Sequence, residues 1–446
     1  MVENICALAT PYGTSAISII RCSGPDTFKL INKIFKGKNL TKVPTHTMHF
    51  GYIVDGDKVI DEVLCNVFVG PKSFDGENCV EINCHGGVLV TNKVLGLLLR
   101  CGFRMAERGE FSKRAFLNKR LDLTQAEAIM DVIDAKNDIA LRVGTNSLRK
   151  STTNLIMKFR EQLLDVLAKI EVNIDYPEYE DSVEVTNNYL LPIIDNMIMD
   201  MKQILKNSEI SNIAIHGIKT AIVGKPNVGK SSLLNMLLDE DKAIVSDIPG
   251  TTRDLVEGSL NVGNITLHLV DTAGIRDSYD VVEKIGIERS QKAIDSANLI
   301  FLVLDSTKAL DEVDNKLLEI TRHKPRIIIA NKSDGEPVWN IEEAVVMSAK
   351  EKTGIDELRM KLHEVTNIDT LNIDEGKFLA NQRQIDLMNK AYQHILNAKE
   401  ACEMFIDVDL IEIDLKQAFD YLGNITGDSS PEELITALFT KFCLGK

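Results

Sequence analysis

The segment Gly224–Ser231 constrains the fold more than any other part of the chain. It reads Gly-Lys-Pro-Asn-Val-Gly-Lys-Ser and fits the pattern Gly-x-x-x-x-Gly-Lys-Ser/Thr of loops that wrap phosphate groups. An apolar run, Thr220–Val223, precedes the loop, and a helix-forming run, Ser231–Leu238, follows it. Backbone N–H groups and the positive end of a helix dipole can therefore converge on a phosphate. A simple glycine turn is the alternative, and motifs further along the chain disfavour it.

Four shorter motifs follow in the order that a guanine-nucleotide pocket requires. Thr251-Thr252 can complete a Mg²⁺ shell, and Asp271-Thr-Ala-Gly274 can reach the metal through water and the γ-phosphate through a backbone N–H. The last carboxylate of Asn331-Lys-Ser-Asp334 can accept two N–H bonds from guanine, and Ser348-Ala-Lys350 would close over the base. Ligands of parallel sheets bind at the carboxyl ends of strands, where these motifs lie.

These motifs define a predicted set of nucleotide-binding residues. Lys230 is expected to reach the β- and γ-phosphates, and Ser231 and Thr252 are the predicted ligands of Mg²⁺. The full set is Asn227, Val228, Gly229, Lys230, Ser231, Ser232, Ser246, Asp247, Ile248, Pro249, Gly250, Thr251, Thr252, Asp271, Thr272, Ala273, Gly274, Asn331, Lys332, Asp334, Ser348, Ala349 and Lys350.

Alternating strand and helix patterns predict a Ras-like P-loop domain over residues 213–369. Its predicted strands are Thr220–Val223, Thr266–Val270, Leu299–Leu304 and Arg326–Ala330, in a parallel sheet covered by helices. Residues 121–212 and 370–446 repeat Leu, Ile and Ala at helical spacing, with breaks at Tyr176-Pro177 and near Gly423–Ser430. Residues 1–120 mix short strand-like runs with turns. The predicted fold class is multidomain α/β, with a mixed α+β N-terminal domain and an all-α helical domain interrupted by the inserted P-loop domain.

Charge and composition exclude several classes of protein. The formal net charge is −15, yet residues 1–120 carry 16 Lys and Arg against 11 Asp and Glu, a net of +5. A globally acidic chain is a poor non-specific nucleic-acid binder, so any RNA contact should lie in this basic third. The eight cysteines form no Cys-x-x-Cys pair, which favours reduced thiols. No apolar run approaches about 18 residues and no signal peptide is visible, so a cytoplasmic protein without membrane contact is predicted.

Further motifs go beyond a generic nucleotide pocket. The first switch reads Gly250-Thr-Thr-Arg-Asp254, and the second reads Asp271-Thr-Ala-Gly-Ile-Arg276 followed by Val282-Glu-Lys-Ile-Gly-Ile-Glu-Arg289. Other matching segments are Ala9-Thr-Pro11, Ile20-Arg-Cys-Ser-Gly-Pro25, His85-Gly-Gly87, Gly109-Glu-Phe-Ser112, Arg114-Ala-Phe-Leu-Asn118, Leu121-Asp-Leu-Thr-Gln-Ala-Glu127 and the terminal Cys443-Leu-Gly-Lys446. Over its full length the chain resembles the MnmE (TrmE) family of tRNA-modification GTPases.

The resemblance implies an architecture and a reaction. A folate-binding, dimerising domain (1–120) would precede a helical domain (121–212 and 370–446) that the GTPase domain (213–369) interrupts. A homodimer would work with a flavin- and NADH-using partner, MnmG, on carbon 5 of the wobble uridine of certain tRNAs. The group added would be of the carboxymethylaminomethyl or aminomethyl type. Its one-carbon unit would come from a formyl- or methylene-type tetrahydrofolate.

The resemblance also implies how GTP is cleaved. Ras-type GTPases orient the attacking water with a glutamine after Asp-x-x-Gly, but Ile275 occupies that position here. A K⁺ ion would instead neutralise charge on the transferring phosphate and help to pair two GTPase domains. Its ligands, by resemblance, are Asn227, Ser246, Ile248 and Thr251. Glu283 resembles the family's catalytic acid, which acts on the attacking water through a bridging water; a solvated helix carboxylate is the alternative from sequence alone.

By resemblance, folate would contact Arg21, Glu81, Arg120 and Lys446. A carboxylate such as Glu81 suits the N–H edge of a pterin, and cations suit the glutamate carboxylates of folate. Lys is more typical of the family at position 120, and Arg keeps the charge but not the geometry. Cys443, in the C-terminal motif, resembles a functional thiol, with the packing of an apolar tail as the alternative.

Two other functions stay open on the sequence. A ribosome-assembly GTPase would share the pocket, but no Gly-x-x-Gly RNA clamp or basic tail is visible outside it. A folate-dependent one-carbon transferase with a regulatory nucleotide domain would act without a protein partner. Folate binding separates the assembly factor from the other two, and partner dependence separates the transferase from the tRNA-modifying GTPase.

Overall fold

Two compact units make up the chain. The first joins Met1–Met130 to Asp420–Lys446, and the second is Asp131–Phe419. The computed structural model describes residues 3–175, 187–244, 259–263, 265–270, 291–370, 372–428, 430–442 and 445. The first unit is thus built from both ends of the sequence, and the second from one continuous segment.

A seven-stranded sheet forms the centre of the first unit. Its strands are β1 (Ile5–Leu8), β2 (Ile17–Ser23), β3 (Phe35–Gly37), β4 (Thr47–Asp55), β5 (Lys58–Phe68), β6 (Cys79–His85) and β7 (Arg104–Met105). They lie in the order β3-β4-β5-β6-β2-β1-β7, and every pair is antiparallel except β1 and β7. The predicted mixture of strands and turns in the N-terminal part is therefore correct.

One face of this sheet is covered because apolar side chains alternate along its strands. Helix α2 (Val88–Cys101) packs on that face. The buried cluster includes Ile20, Cys22, Val80, Ile82, Val94, Leu97 and Leu98. The other described helices of this unit include α1 (Thr27–Ile31), α3 (Glu110–Leu117) and α13 (Glu432–Phe439). The rings of Phe116 and Phe439 lie 6.2 Å apart, so the C-terminal part of the chain completes the core of the first unit.

Long helices form one part of the second unit. They are α5 (Asp138–Leu148), α6 (Ser151–Asp175), α7 (Asn187–His216) and α11 (Gln382–Glu403), flanked in sequence by α4 (Leu123–Asp134) and α12 (Val408–Thr426). Buried residues on α7 recur three and four positions apart at Leu190, Ile194, Met197, Met201 and Ile204. This spacing forms an apolar stripe that packs against α11. None of the described helices combines the length and the apolar composition that a bilayer crossing needs.

A six-stranded sheet forms the other part of the second unit. Its strands are β8 (Ile218–Val223), β9 (Ser259–Val262), β10 (Ile265–Leu269), β11 (Leu299–Asp305), β12 (Arg326–Asn331) and β13 (Val345–Val346). They lie in the order β13-β12-β11-β8-β10-β9, and only the β9–β10 pair is antiparallel. The helices here are α8 (Lys230–Ile244), α9 (Glu312–Ile320) and α10 (Ile355–Thr366). Strand β11 is buried along its whole length, as a parallel strand covered on both faces must be. The predicted fold class is confirmed.

Hydrogen bonds tie strand β10 to the end of α7. The Nε2 of His268 donates to the carbonyl oxygen of His216 at 2.7 Å, so its Nδ1 accepts from the hydroxyl of Ser259 on β9 at 2.8 Å. The side-chain amide of Asn137, the N-cap of α5, donates to the carbonyl of Ala214 at 3.1 Å. The bonds of His268 thus join β9 and β10 to the C-terminal end of α7.

Candidate functional site

The phosphate loop joins the end of β8 to the start of α8 and depends on two glycines. Gly224 has φ +157° and Gly229 has φ +99°, a region that L side chains rarely adopt. A Cβ on Gly224 would collide with the carbonyl oxygen of Val303, and one on Gly229 with the side-chain amide of Asn331. The loop therefore lies tightly against strands β11 and β12, with the N-terminus of α8 behind it.

Lys230 lies over this loop. Its Nζ donates to the carbonyl oxygens of Gly224 at 2.7 Å and Lys225 at 2.6 Å, and burial lowers the pKa of its ammonium. The neighbouring Lys225 is held away by ion pairs with Asp311 and Asp314, both at 2.6 Å. Lys230 is thus a partly desolvated cation at the N-terminus of a helix, where a phosphate group would be stabilised.

Asn331 links the phosphate loop to the base-recognition loops. It is 2% exposed at the end of β12. Its Nδ2 donates to the carbonyl oxygen of Val228 at 2.8 Å, while its Oδ1 accepts from the backbone N–H of Ala349 at 3.0 Å. Three strand-end loops that were separate motifs in the sequence are therefore joined by one amide side chain.

Asp334 presents a carboxylate at the same edge of the sheet. One oxygen accepts from the hydroxyl of Ser348 at 2.8 Å, and the other lies 3.8 Å from Nζ of Lys350. The hydrogen bond from Ser348 is the largest cause of the lowered pKa of Asp334, so the group is ionised at neutral pH. An exposed carboxylate held in this way has lone pairs available for the two N–H groups of guanine.

Asn227 lies at the outer side of the phosphate loop. It is exposed, its backbone is left-handed with φ +63°, and its side chain makes no hydrogen bond with any described residue. An asparagine tolerates this conformation better than most residues because of its short polar side chain. Its amide oxygen is therefore available to a ligand or a cation.

A second polar site lies in the first unit, at the paired positions Arg21 on β2 and Glu81 on β6. The guanidinium donates twice to one carboxylate oxygen, from Nη2 at 2.9 Å and Nε at 3.1 Å. Its third bond runs from Nη1 to the carbonyl oxygen of Gly445 at 3.1 Å. The rings of Phe74 and Phe111 lie 4.9 and 5.6 Å from the guanidinium carbon. Two predicted folate-contacting residues thus meet beside the C-terminal motif.

Comparison with known proteins identifies the family. A family model described as "MnmE helical domain" matches residues 123–443. A second model, described as "GTP-binding protein TrmE N-terminus", matches residues 4–120. The tRNA modification GTPase MnmE of Streptococcus thermophilus is 47% identical over 450 residues, covering 100% of this chain and 98% of the relative. Its counterpart from Acholeplasma laidlawii is 46% identical over 445 residues, covering 100% and 99%.

The chain belongs to the MnmE family. The recognition made from the motifs is confirmed, and so is the prediction of a GTPase that acts in tRNA modification. Among solved structures, Era of Aquifex aeolicus bound to GDP and AlF₄⁻ is 28% identical, covering 33% of this chain and 56% of that chain, with a TM-score of 0.25.

Membership of the MnmE family implies binding of GTP and Mg²⁺, and the described residues fit both. Ser231 is the second residue of α8, beside Lys230, and its hydroxyl is the kind of oxygen donor that Mg²⁺ prefers when phosphate oxygens supply further ligands. Among the described residues, no group of three or more His, Cys, Asp or Glu side chains could hold a metal ion.

Several predicted MnmE-type site residues cannot be placed. Those outside the described residues are Ser246, Asp247, Ile248, Pro249, Gly250, Thr251, Thr252, Asp271, Thr272, Ala273, Gly274, Glu283, Cys443 and Lys446. Arg120 is described and exposed, and its side chain makes no hydrogen bond with another described residue. The roles of these residues stay predictions.

Sequence reasoning missed two features of these sites. Phe74 and Phe111 flank Arg21, but only tertiary packing brings them together. Asp305 accepts from Nζ of Lys332 at 2.7 Å and so anchors the loop that carries Asp334. The sequence could have pointed to Asp305, because it is the last residue of the apolar strand β11. Ligand-binding residues of parallel sheets lie at the carboxyl ends of their strands.

Proposed function

We propose that the chain hydrolyses GTP in this pocket and, together with MnmG, modifies carbon 5 of the wobble uridine of certain tRNAs with a tetrahydrofolate one-carbon unit. The observation that carries the nucleotide part is that the buried side chain of Asn331 joins the phosphate loop at Val228 to Ala349, next to Ser348, which holds Asp334. This arrangement holds the phosphate and base ends of one ligand in a fixed relation.

The residues of the nucleotide pocket have distinct roles in this reaction. Lys230 exchanges its two loop carbonyls for the β- and γ-phosphates, whose negative charge stabilises its partly desolvated ammonium. The N-terminus of α8 adds its dipole, and Asp334 selects guanine. The hydroxyls of Ser231 and Thr252 would hold Mg²⁺, which when bound neutralises charge on the transferring phosphate.

Hydrolysis further depends on K⁺ and on Glu283. The free, exposed amide of Asn227 supports a K⁺ site at the outer side of the loop, completed by Ser246, Ile248 and Thr251. This position suits an ion shared between two facing GTPase domains, which explains how a chain with Ile275 in place of a glutamine hydrolyses GTP. Glu283 orients the attacking water through a bridging water.

Folate binds in the first unit under this proposal. The Arg21–Glu81 pair supports it, since the pair offers a carboxylate to a pterin edge and a cation to carboxylates, with two aromatic rings alongside. The bond from Arg21 to the carbonyl oxygen of Gly445 brings this residue of the C-terminal motif to the pair. By resemblance, Lys446 and Cys443 of the same motif take part. Arg120 supplies a further cation.

The chain acts as a cytoplasmic homodimer. The sheet face opposite α2 supports dimer formation, because Met48, Phe50 and Leu64 are 59%, 55% and 39% exposed. Phe50 and Leu64 are paired across β4 and β5, so these side chains form one apolar patch of the kind that marks an interface.

GTP turnover in KCl and in NaCl, at matched ionic strength and protein concentration, tests the mechanism. We expect turnover to fall about 10-fold or more in NaCl, and about 100-fold or more in Glu283→Ala, because each removes stabilisation of the transition state. Glu336→Ala, an exposed carboxylate of the same domain, is the control and should retain wild-type turnover. Turnover that is indifferent to K⁺, or intact without Glu283, would leave a GTPase but refute this mechanism.

A further inference from the structure

The segment Thr27–Val54 holds the excess positive charge of the N-terminal part of the chain. It contains no aspartate or glutamate and five lysines, which are Lys29, Lys33, Lys36, Lys38 and Lys42. Without these five, the 16 Lys and Arg of residues 1–120 fall to 11, which equals the 11 Asp and Glu of the same residues. The net charge of +5 in this part of an acidic chain therefore comes from one segment.

The carboxylates at the two ends of this segment are already engaged in ion pairs. Asp26, directly before the segment, pairs with Lys29 at 3.0 Å. Asp55, directly after it, pairs with Arg100 on α2 at 2.8 Å. Of the five lysines, only Lys29 is therefore offset by a flanking acid, and the other four keep their charge.

These four residues define the lysine cluster: Lys33, Lys36, Lys38 and Lys42. All four are exposed, and none forms an ion pair with a residue that the structure describes. In the register of the sheet, the carboxylate in line with Lys36 is that of Glu62, two strand spacings or about 10 Å away. The cluster thus presents positive charge to the solvent.

Two asparagine side chains hold the backbone of the cluster together. The Nδ2 of Asn32, at the end of α1, donates to Oδ1 of Asn39 at 2.8 Å, and Oδ1 of Asn32 accepts from the backbone N–H of Leu40 at 3.0 Å. Three members of the cluster lie between the two asparagines in sequence. The fourth is the last residue of the 3₁₀ turn Leu40–Lys42, which Asn39 caps. The backbone positions of all four lysines are therefore kept in one small region of the surface.

The apolar residues of the same stretch are buried. Ile34, Phe35 and Leu40 are 5%, 6% and 1% exposed. A segment that docks on a lipid surface normally offers apolar side chains for insertion as well as basic ones. Here the exposed neighbours of the lysines include Asn39 and Thr41, residue types that contact the phosphate and sugar oxygens of nucleic acids. The surface therefore fits a polyanion better than a membrane.

Protection of an edge strand is a simpler use of lysine. Strand β3 is the outermost strand of the seven-stranded sheet, and lysines on such strands hinder pairing with other chains. This accounts for Lys36, which lies on β3. Lys33, Lys38 and Lys42 lie outside the strand, so edge protection does not account for them.

We propose that the lysine cluster binds the phosphate backbone of the tRNA substrate. Lysine contacts to phosphates supply affinity and orientation without reading the base sequence. Because the chain as a whole is acidic and repels RNA, a local excess of positive charge also determines where the RNA first makes contact. The proposal rests on the proposed function in tRNA modification and adds the surface that holds the RNA.

Binding of a fluorescent tRNA transcript to the full-length chain, measured by anisotropy at several NaCl concentrations, tests this surface. The cluster variant combines Lys33→Gln, Lys38→Gln and Lys42→Gln, and it keeps Lys36, which pairs with Tyr52 beside the apolar patch. We expect Kd to rise about 10-fold or more. The slope of log Kd against log salt should fall by about 2 to 3, because each lysine releases counterions on binding. An unchanged Kd and slope would overturn the proposal.

Two further variants separate charge at this surface from other effects. Arginine at the same three positions keeps the charge and should keep wild-type affinity for tRNA. The control variant combines Lys158→Gln, Lys202→Gln and Lys316→Gln, three exposed lysines of the second unit, and loses the same total charge. Its Kd for tRNA should equal that of the wild type. Equal weakening in the control and cluster variants would assign the effect to overall charge and refute the proposal.

The same variants distinguish a membrane from RNA. If the cluster variant keeps its affinity for tRNA but loses binding to vesicles of equal parts phosphatidylcholine and phosphatidylserine, the surface serves a membrane and the proposal is wrong. If the wild-type chain binds no tRNA, the proposal also fails. Modification of tRNA in the complete reaction with MnmG would in that case still support the proposed function, so the two failures are distinguishable.

Discussion

Asp334 is the residue on which the choice of base depends. The hydroxyl of Ser348 donates to one of its oxygens, and the other lies 3.8 Å from Nζ of Lys350. The carboxylate is therefore held in place as a hydrogen-bond acceptor. In Asp334→Asn, one acceptor becomes an N–H donor that opposes the N–H groups of guanine. We expect GTP turnover to fall by about 10²-fold or more and turnover of xanthosine triphosphate, which carries an oxygen at that position, to rise.

Steady-state hydrolysis of both nucleotides checks this prediction. Asp356→Asn is the matched control, because Asp356 is a surface carboxylate of the same region that is 79% exposed and pairs with Arg359. The control should keep wild-type selectivity. An Asp334→Asn variant that still hydrolyses GTP at the wild-type rate would contradict the assignment of the base site.

Single residues also mark where sequence reasoning stopped. The motifs predicted Asn331 and Asp334 together, but the bracing of Val228 and Ala349 by Asn331 needs the tertiary approach of three loops. Arg21 and Glu81 were named through the family resemblance, since 60 residues separate them and nothing in their local sequence pairs them. Their antiparallel register brings them together.

The junction between helix α7 and strand β8 positions the phosphate-binding sheet. Gly217 joins α7 to β8 with φ +72°, and a Cβ there would lie 2.5 Å from the carbonyl oxygen of Thr266 and 2.9 Å from Nε2 of His268. Gly217→Ala should therefore lower the free energy of unfolding by about 1–3 kcal/mol, through both left-handed strain and steric conflict.

Urea unfolding of two alanine variants separates these causes. Gly263 has φ +63° and its Cβ would meet nothing closer than 3.9 Å, so Gly263→Ala reports left-handed strain alone. Gly217→Ala should lose more stability than Gly263→Ala. Equal losses of unfolding free energy in the two variants would show that Thr266 and His268 move aside for the added methyl group at little cost, which would contradict the predicted steric conflict.

Most elements followed from sequence patterns, although their ends did not. The predicted strand Thr220–Val223 extends to Ile218–Val223, and the predicted helix Ser231–Leu238 extends to Lys230–Ile244, because propensity falls gradually while hydrogen bonding continues. The break predicted near Gly423–Ser430 agrees with α12 ending at Thr426, whereas the break at Tyr176-Pro177 lies outside the described residues and stays a prediction. Strand β4 escaped prediction because Met48, Phe50 and Tyr52 are apolar on its exposed face, which obscures the alternation.

The whole molecule contains a nucleotide pocket in its second unit and a polar site in its first. The four-part domain division stays a prediction, while the two compact units follow from packing. A switch does work only if GTP and GDP are bound with different affinity by two conformations, and hydrolysis lets the protein cycle between them. Within the second unit, the hydrogen bonds of His268 tie β9 and β10 to the end of the long helix α7.

The most direct test of the account is modification of wobble uridine in a tRNA substrate, read by mass spectrometry after incubation with the chain, MnmG and methylene-tetrahydrofolate. We predict modified uridine with GTP, and loss of the product with a non-hydrolysable GTP analogue, without the folate, or with Lys230→Ala. Equal modification with GTP and with the analogue would contradict the claim that hydrolysis in this pocket drives the reaction.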